Sequence, residues 1–150
     1  MQKILNVSAI KDGTVIDHIS PDVLFKVISI LKLDLCRDMV TIGNNLESKQ
    51  VGKKGIIKIE NRFFEDHEVD RIALIAPQAK LNIIKDYKVV DKRSVSIPTE
   101  IDAIAKCFNP KCITNFEDVT THFAVVSKKP LALKCRYCEK ITFGDQLELK

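Results

Sequence analysis

The sequence predicts an α+β protein with two parts, an antiparallel sheet with two helices over residues 1–97 and a small all-β domain over residues 98–150. Strand-like and helix-like apolar patterns alternate along the first part. The composition changes near Pro98, which favours extended chain before it, and four of the five cysteines lie beyond that point. These observations place the predicted domain boundary between residues 97 and 98.

Composition excludes several classes of protein. Among the 150 residues, 45% are apolar and 29% are charged, a balance that excludes a collagen, a disordered tail and a coiled coil. The 24 basic against 20 acidic residues leave a net charge of +4, which permits anionic partners without requiring a polyanion. No apolar run reaches the roughly 18 residues that span a bilayer. The N-terminus also lacks the apolar segment of a secretion signal, so we expect a cytoplasmic protein.

The first predicted elements are strands. Residues 4–10 alternate between apolar and polar types, as in a half-buried strand. The dipeptide Asp12-Gly13 predicts a turn, and β character resumes over residues 14–16.

A helix is predicted over residues 21–33. Ser20 is a favourable N-cap residue, and Pro21 suits the first helical position. The apolar residues recur at helical spacing and should form one buried face. These residues are Leu24, Val27, Ile28 and Leu31.

The middle of the first part reads as two strands joined by a loop. Residues 39–42 and 56–59 carry β-branched and apolar side chains typical of strands. The polar stretch over residues 44–55, with Gly52 and Gly55 as breakers, predicts a loop between them.

The last elements of the first part are a helix and two strands. Residues 66–76 have the apolar spacing of an amphipathic helix, and Pro77 stops it. Strands are predicted over residues 81–84 and 87–90, with Asp86 in the turn. The order strand, helix, strand, strand, helix, strand is the ferredoxin-like pattern, in which both helices cover one face of the sheet.

The cysteine spacing predicts a metal site in the second part. The pattern is Cys107-x4-Cys112, then 22 residues, then Cys135-x2-Cys138. Two short pairs separated by room for a small sheet are typical of a zinc ribbon with four thiolate ligands. About fifty residues are too few for a self-sufficient core, so the metal should be structural. Rubredoxin-like iron and a redox role for the second pair are the alternatives, and Cys36 reads as a small buried hydrophobe.

A zinc ribbon alone does not define a function. Lys134, Arg136 and Lys140 surround the second cysteine pair and would suit a nucleic-acid backbone. The same cations would also offset the negative charge of a zinc–tetrathiolate centre, and we favour this second interpretation.

The sequence shows no convincing catalytic motif. His67 and His122 stand alone, and no glycine-rich phosphate loop of known type is present. The basic loop over residues 52–55 reads as a solvated surface. We therefore expect no enzymatic activity.

Four other residues could bind a ligand. Asp17-His18 follows a strand and could hold hydroxyl groups, or it could cap the entry to the first helix. Lys58 lies within a strand and Lys92 follows one, so both could project from the helix-free face of the sheet. Solvated lysines are the alternative interpretation.

Five strings, spread in order over almost the whole chain, carry a resemblance to a known family. They are AIKxGTVIDHI at residues 9–19, TIGxNL at 41–46, IKIEN at 57–61, APQA at 76–79 and ALKCxYCE at 132–139. Together with the two cysteine spacings, they closely resemble the regulatory chain of aspartate carbamoyltransferase.

The resemblance implies a non-catalytic allosteric subunit. Its N-terminal ferredoxin-like domain would bind CTP as inhibitor or ATP as activator, with UTP acting in some members. Its zinc domain, with Cys107, Cys112, Cys135 and Cys138 as ligands, would dock on the catalytic chain of pyrimidine biosynthesis. Regulatory chains of this family pair as homodimers and link two catalytic trimers.

The resemblance also implies the residues of a nucleotide site. Asp17 would accept hydrogen bonds from ribose hydroxyls with His18 alongside, and Lys58 would lie near ribose and phosphate. Lys92 would hold the triphosphate. The remaining implied site residues are Val7, Ser8, Ala9, Ile10, Lys11, Asn82, Ile84, Tyr87 and Val89.

Three residues depart from the family pattern. Ser8 stands where a carboxylate is common, Asp12 where a basic residue is common, and Asp91 where a small residue precedes the phosphate lysine. The two added acids are expected to weaken triphosphate binding or to shift the balance between ATP and CTP. A zinc-ribbon nucleic-acid-binding protein and a stand-alone nucleotide sensor are the alternative functions.

Overall fold

The computed structural model describes residues 9–49 and 52–150. It divides into two compact units, Met1–Ser96 and Ile97–Lys150. Most of the strand expected over residues 4–10 lies outside the described residues. No helix in the described part of the chain is long and apolar enough to cross a bilayer.

The first unit is a five-stranded antiparallel sheet with two helices. In chain order its elements are β1 (Gly13–Ile19), α1 (Leu24–Ile30), β2 (Val40–Ser48), β3 (Gly52–Glu60), α2 (Asp66–Ile75), β4 (Lys80–Lys85) and β5 (Lys88–Ser94). The strand order is β2-β3-β1-β4-β5, and every neighbouring pair is antiparallel. The first four strands therefore have the ferredoxin-like order, and β5 extends the sheet as a hairpin. The predicted α+β class is confirmed.

One face of the sheet packs against the two helices, which also contact each other. Each large apolar side chain buried there contributes ~1.5–3 kcal/mol to folding. The fully buried side chains of this core include Ile16, Ile57, Ile59 and Leu81 from the strands and Leu24, Val27 and Ile72 from the helices. Gly13 begins β1 at a φ of 144°, where a side chain would meet the carbonyl oxygen of Ile59, so glycine is required for this close approach.

Helix α1 is shorter than predicted, and the predicted cap is wrong. The helix begins at Leu24, and Val23 is its N-cap without a side-chain hydrogen bond. Ser20 acts through its backbone carbonyl, which accepts a hydrogen bond from the Val23 N–H at 3.0 Å and closes a turn before the helix. Lys32, at a φ of 54°, ends the helical path, and a short 3-10 turn over Leu33–Leu35 follows.

The predicted polar loop over residues 44–55 is also wrong, because most of it belongs to the β2–β3 hairpin. The pairing register shifts between Gly43 and Leu46, where Asn45 adopts a left-handed φ of 56°. This bulge absorbs an extra residue and lets the polar stretch continue as strand.

The strands predicted over residues 14–16, 39–42, 56–59 and 81–84 and the helix predicted over residues 66–76 are confirmed. Helix α2 begins with a capping box formed by Glu65 and Glu68. Strands β4 and β5 are joined at Asp86 and Tyr87, both with left-handed φ values of 53° and 65°, as the tight turn of a two-residue hairpin requires. Tyr87 is thus a turn residue and not part of the strand.

A buried hydroxyl ties β1 to the segment that follows β3. The Thr14 side chain is fully buried, and its Oγ1 donates a hydrogen bond to the Arg62 carbonyl oxygen at 2.6 Å. We expect Thr14→Val to lower the free energy of unfolding of the first unit by about 1 kcal/mol, because the isosteric side chain keeps the volume and loses the bond. Urea unfolding measures the change. Thr121→Val removes the matching bond to Ala105 in the second unit and should spare the first; an unchanged midpoint for Thr14→Val would contradict the assignment.

The second unit is all-β, as predicted. Its strands are β6 (Glu100–Asp102), β7 (Ala105–Lys106), β8 (His122–Lys128), β9 (Leu131–Cys135), β10 (Ile141–Phe143) and β11 (Glu148–Leu149). Four of them form an antiparallel sheet in the order β10-β9-β8-β6, and β11 pairs with β7. The small core is built on Phe123, Ile101 and Leu133, all of which are fully buried.

Candidate functional site

Four cysteines of the second unit converge in space. Cys107 follows β7, Cys112 precedes a 3-10 turn, Cys135 ends β9, and Cys138 lies in the turn before β10. Their sulfur atoms all lie within 4.8 Å of one another, and the Cys107–Cys138 and Cys112–Cys135 pairs are each 3.7 Å apart.

These spacings fit a metal. Four sulfurs at ~2.3 Å from a tetrahedral zinc ion are about 3.8 Å apart, whereas a disulfide joins two sulfurs at ~2.05 Å. The four thiols would fill all four positions of a tetrahedral ion, which leaves no open position for water or substrate. The cluster therefore suits a structural metal.

Hydrogen bonds orient the two cysteine turns. Thr114 Oγ1 donates to Cys112 Sγ at 3.1 Å, and the Tyr137 N–H donates to Cys135 Sγ at 3.4 Å. The Asn115 side-chain amide donates to the backbone carbonyls of Cys107 at 3.1 Å and Asn109 at 2.7 Å. These bonds orient the sulfurs of Cys112 and Cys135, and the first turn is held by the side chain of Asn115, which lies outside it.

The thiols differ in acidity. Burial raises the pKa of Cys107 and of Cys135. Burial also opposes ionisation of Cys138, but hydrogen bonding from the Lys140 backbone and from neighbouring side chains outweighs it and lowers the pKa to about 7. A cation among these sulfurs would favour the thiolate form of each. Cys36 is a half-buried thiol outside the cluster.

The first unit has a second face, here called the open face, on the side of its sheet turned away from α1 and α2. Side chains alternate along each strand, so Val15 and Asp17 point to the open face when Ile16 points to the helices. The pairing register then extends this face across the sheet. Val15 lies opposite Lys58 of β3 and Asn82 of β4, and Asn82 lies opposite Lys92 of β5. We call these four residues the Val15 row.

A second row lies next to it. Asp17 is paired with Lys80, and Lys80 with Ser94; these three form the Asp17 row. Lys54 Nζ lies 2.9 Å from Asp17 Oδ1 in a half-buried ion pair. Burial lowers the pKa of Lys58, and the Asp17 carboxylate raises it in part. The two rows therefore concentrate lysines around one carboxylate.

An apolar cluster adjoins the Val15 row on the open face. It consists of Ile10, Val15, Ile56 and Ile84, with Leu46 packed against it. Val89 is paired with Ile84 and shares its face. A polar, cationic region thus meets an apolar one within the width of the sheet.

The segment before β1 is tied to the β4–β5 turn. Asp12 Oδ1 accepts a hydrogen bond from the Asp86 N–H at 3.0 Å, and the Lys11 carbonyl accepts one from the Tyr87 N–H at 2.9 Å. The Asp12 carboxylate is therefore bound to the backbone of the β4–β5 turn.

Asp91 lies opposite Ile83, so the alternation of side chains along β5 turns Asp91 to the helix side, away from Lys92.

Most of the nucleotide-site residues implied by the resemblance share the open face. Those brought together there are Ile10, Asp17, Lys58, Asn82, Ile84, Val89 and Lys92. Tyr87 is 66% exposed at the turn, Ala9 and Lys11 are exposed at the strand entry, and Val7 and Ser8 lie outside the described residues.

His18 is placed differently. It has a left-handed φ of 59° at a register shift in β1, and its Nδ1 lies 3.6 Å from Asp17 Oδ2. His18 also lines a cavity of about 190 Å³ with Val23, Ala76 and Pro77. It therefore adjoins Asp17 without belonging to either row.

Two lysines of the open face were missed from the sequence. Lys54 lies four residues before Lys58, and Lys80 lies two residues before Asn82. Even spacing along a strand places side chains on one face. That signal was present for Lys80, but for Lys54 it was hidden by the predicted loop.

The second unit exposes apolar side chains around the first cysteine turn. Two hollows of about 390 and 500 Å³ share Phe108, Pro110 and Gln146 in their walls. Phe108 is 54% exposed and Phe116 is 71% exposed. Exposed aromatic side chains beside polar residues are typical of interaction surfaces.

Of the three cations that suggested nucleic acid, Lys134, Arg136 and Lys140, Arg136 has a carboxylate partner. Arg136 is paired with Glu100, and Lys140 lines the larger hollow beside Ile141 and Phe143. His122 Nδ1 lies 2.7 Å from Asp102 Oδ1, at hydrogen-bond distance. Acidic partners thus neutralise part of this surface.

Comparisons with known proteins cover both units. Residues 5–96 match the allosteric domain of the aspartate carbamoyltransferase regulatory chain, and residues 99–148 match its metal binding domain. The chain is 55% identical to the aspartate carbamoyltransferase regulatory chain of Phocaeicola vulgatus over 97% of this chain and 94% of that protein. It is 52% identical to the corresponding regulatory chain of Pyrococcus abyssi over 95% of each.

The matches to both domains, the convergence of the four cysteines and the 55% identity over 97% of the chain all indicate the same family. The chain belongs to the family of aspartate carbamoyltransferase regulatory chains, non-catalytic subunits that combine an allosteric domain with a metal-binding domain.

Proposed function

We propose that the open face of the first unit binds CTP or ATP, and UTP as a further effector, and that the chain transmits this binding to the catalytic chain of aspartate carbamoyltransferase in pyrimidine biosynthesis. The observation that carries the proposal is the Val15 row. It aligns Lys58, Asn82 and Lys92 beside an apolar cluster and next to Asp17.

Each part of a nucleotide has a chemical counterpart on this face. The base packs on the apolar cluster, where Ile10, Ile84 and Val89 offer side chains and nearby backbone groups. Asp17 accepts hydrogen bonds from ribose hydroxyls, with His18 beside it. The ammonium groups of Lys58 and Lys92 meet the phosphates as point charges.

The entry segment and turn complete the proposed site. The base is flanked by Ala9, Lys11 and Tyr87. The Tyr87 N–H donates a hydrogen bond to the Lys11 carbonyl, and this bond holds the entry segment and the turn together at the edge of the cluster. Val7 and Ser8 are proposed only from the family resemblance.

We also propose that Cys107, Cys112, Cys135 and Cys138 hold one structural zinc ion per chain. The ion would cross-link the two cysteine turns that flank the sheet of the second unit. With both turns fixed by the ion, the exposed apolar side chains around the first cysteine turn would keep a single arrangement. This surface is the proposed docking site for the catalytic chain.

Homodimerisation through the first unit is supported by its edge. Within residues 9–49 and 52–150, no strand pairs with the outer side of β2, and Ile42 in β2 is 43% exposed. Nearby apolar side chains are also exposed, namely Phe25, Leu35 and Met39. Burying them against a second copy would satisfy both the free backbone groups and the apolar surface.

One experiment separates these proposals from the alternatives. Co-expression with an aspartate carbamoyltransferase catalytic chain should yield a complex on size-exclusion chromatography, and CTP or ATP should bind to it in calorimetry. A chain that binds nucleotide but never the catalytic chain would be a stand-alone sensor. A gel shift with random DNA and RNA at about 0.1 M salt should be negative; a shift that weakens steeply with salt would instead support a nucleic-acid-binding protein.

A further inference from the structure

Lys80 occupies the open face although the family resemblance assigns it no role. Lys80 is exposed and is the first residue of β4. In the strand register it lies opposite Asp17 of β1 on one side and Ser94 of β5 on the other. The next residue, Leu81, is 1% exposed and faces the helices, so the Lys80 side chain lies on the same face as Asn82.

The charge of Lys80 is not neutralised by its neighbour. The Asp17 carboxylate is already bonded to Lys54 at 2.9 Å. Within residues 9–49 and 52–150, no carboxylate lies at ion-pair distance from the Lys80 ammonium. By contrast, Arg93, which is on the helix side of β5, is paired with Asp66 at 3.6 Å.

The position of Lys80 along β4 places it at the polar end of the proposed site. Ile84 belongs to the apolar cluster, Asn82 to the Val15 row, and Lys80 to the Asp17 row. Successive rows are about 7 Å apart, because two residues separate them along each strand. A nucleotide whose base lies on the cluster and whose ribose lies at Asp17 would bring its phosphates within reach of Lys80, opposite Asp17, and of Lys92 on the next strand.

We propose that Lys80 binds the outer phosphates of the effector and makes the site selective for nucleoside triphosphates over monophosphates. The inference rests on the proposed nucleotide function of the open face. A lysine is suited to this role, because its ammonium is a compact charge on a flexible stem and can follow phosphates that differ in position.

Calorimetry on the full-length chain with CTP, CDP, CMP and cytidine tests the proposal. Lys80→Gln should weaken CTP binding about ten-fold, which is the loss expected for one charge-assisted hydrogen bond. The loss should shrink from CTP to CDP and fall below about two-fold for CMP and cytidine. Lys80→Arg, which keeps the charge, should restore most of the preference for CTP.

The matched control is Arg93→Gln, which removes the same charge from the same hairpin on the opposite face. It should leave all four affinities unchanged. An equal loss for CTP and CMP in Lys80→Gln would overturn the inference, since it would mean that Lys80 acts through Asp17 or through the sheet. Unchanged CTP binding in Lys80→Gln would also overturn it but leave the proposed function intact, whereas a wild-type chain that binds none of the four would overturn both.

Discussion

Metal removal should unfold the second unit and leave the first one folded. Residues 97–150 have a small core, and four of their buried or half-buried side chains are thiols aimed at one point. Without a cation, burial disfavours the thiolate forms of Cys107 and Cys135 by raising the pKa of each. Structural zinc contributes on the order of 10 kcal/mol to folding of small domains, which exceeds what so short a segment can supply otherwise.

Cysteine variants test the same point without a chelator. Cys112→Ala and Cys138→Ala should lose the metal and the capacity to bind the catalytic chain, while nucleotide affinity stays at the wild-type value. The matched control is Cys36→Ala, which removes the thiol outside the cluster and should keep one zinc per chain. Elemental analysis and size-exclusion chromatography give the readouts. Intact catalytic-chain binding by Cys138→Ala would count decisively against a structural role for the metal.

Loss of either phosphate lysine should weaken nucleotide binding by roughly ten- to hundred-fold. Lys58→Ala and Lys92→Ala each remove an ammonium from the Val15 row, and a hydrogen bond to a charged group contributes about 1.5–3 kcal/mol. CTP and ATP should lose affinity alike, because they share the phosphates. Asp17→Ala should also affect both, since it acts on the shared ribose, whereas Ile10 and Tyr87 variants should change the ratio between the two nucleotides.

Calorimetry measures these affinities, with Lys88→Ala as the control. Lys88 lies on the same strand as Lys92 but outside the Val15 row, and its loss should leave both nucleotides unaffected. Zinc content and assembly with the catalytic chain should be normal in every variant. Wild-type affinity in the Lys58, Lys92 and Asp17 variants together would show that the effector binds elsewhere.

The pH dependence supplies a separate check on Lys58. Burial lowers its pKa in the free protein, and an adjacent phosphate would raise it again. Binding should therefore take up a proton, and affinity should fall as the pH rises through the free-state pKa of Lys58. In Lys58→Ala this decline should begin at a higher pH than in the wild-type chain.

Coupling between nucleotide binding and substrate binding in the holoenzyme should be about 1–3 kcal/mol, and it should be reciprocal.

Local patterns predicted the parts of the structure that depend on neighbouring residues. The helical spacing of Val69, Ile72 and Ala73 predicted α2, and the spacing of the four cysteines predicted the metal cluster. The polar end of the β2–β3 hairpin was missed, because its residues become strand only through pairing and a bulge at Asn45. The start of α1 was missed because the backbone of Ser20, and not its side chain, closes the preceding turn.

The candidate site shows the same division. Lys58 and Lys92 were identifiable from strand patterns and from the resemblance, but their alignment with Val15 and Asn82 depends on registers among four strands. Neighbours in a row are as many as 67 residues apart in sequence, as Val15 and Asn82 illustrate. Lys54 could be assigned to the open face only from the structure, because β3 begins at Gly52, within the segment that was predicted to be a loop.

The bulge in β2 limits how far a second chain can extend the sheet. In the described part of the chain, that edge offers two short regular rows of backbone groups, Val40–Gly43 and Leu46–Ser48, because the register shifts between them. The opposite edge, β5, is fully exposed and carries charged residues, which discourage strand addition. Among the described residues, β2 is therefore the edge better suited to sheet growth. In the proposed homodimer, two chains that pair through β2 would each use up that edge, so assembly of this unit would end at a closed pair and would not continue into a fibre.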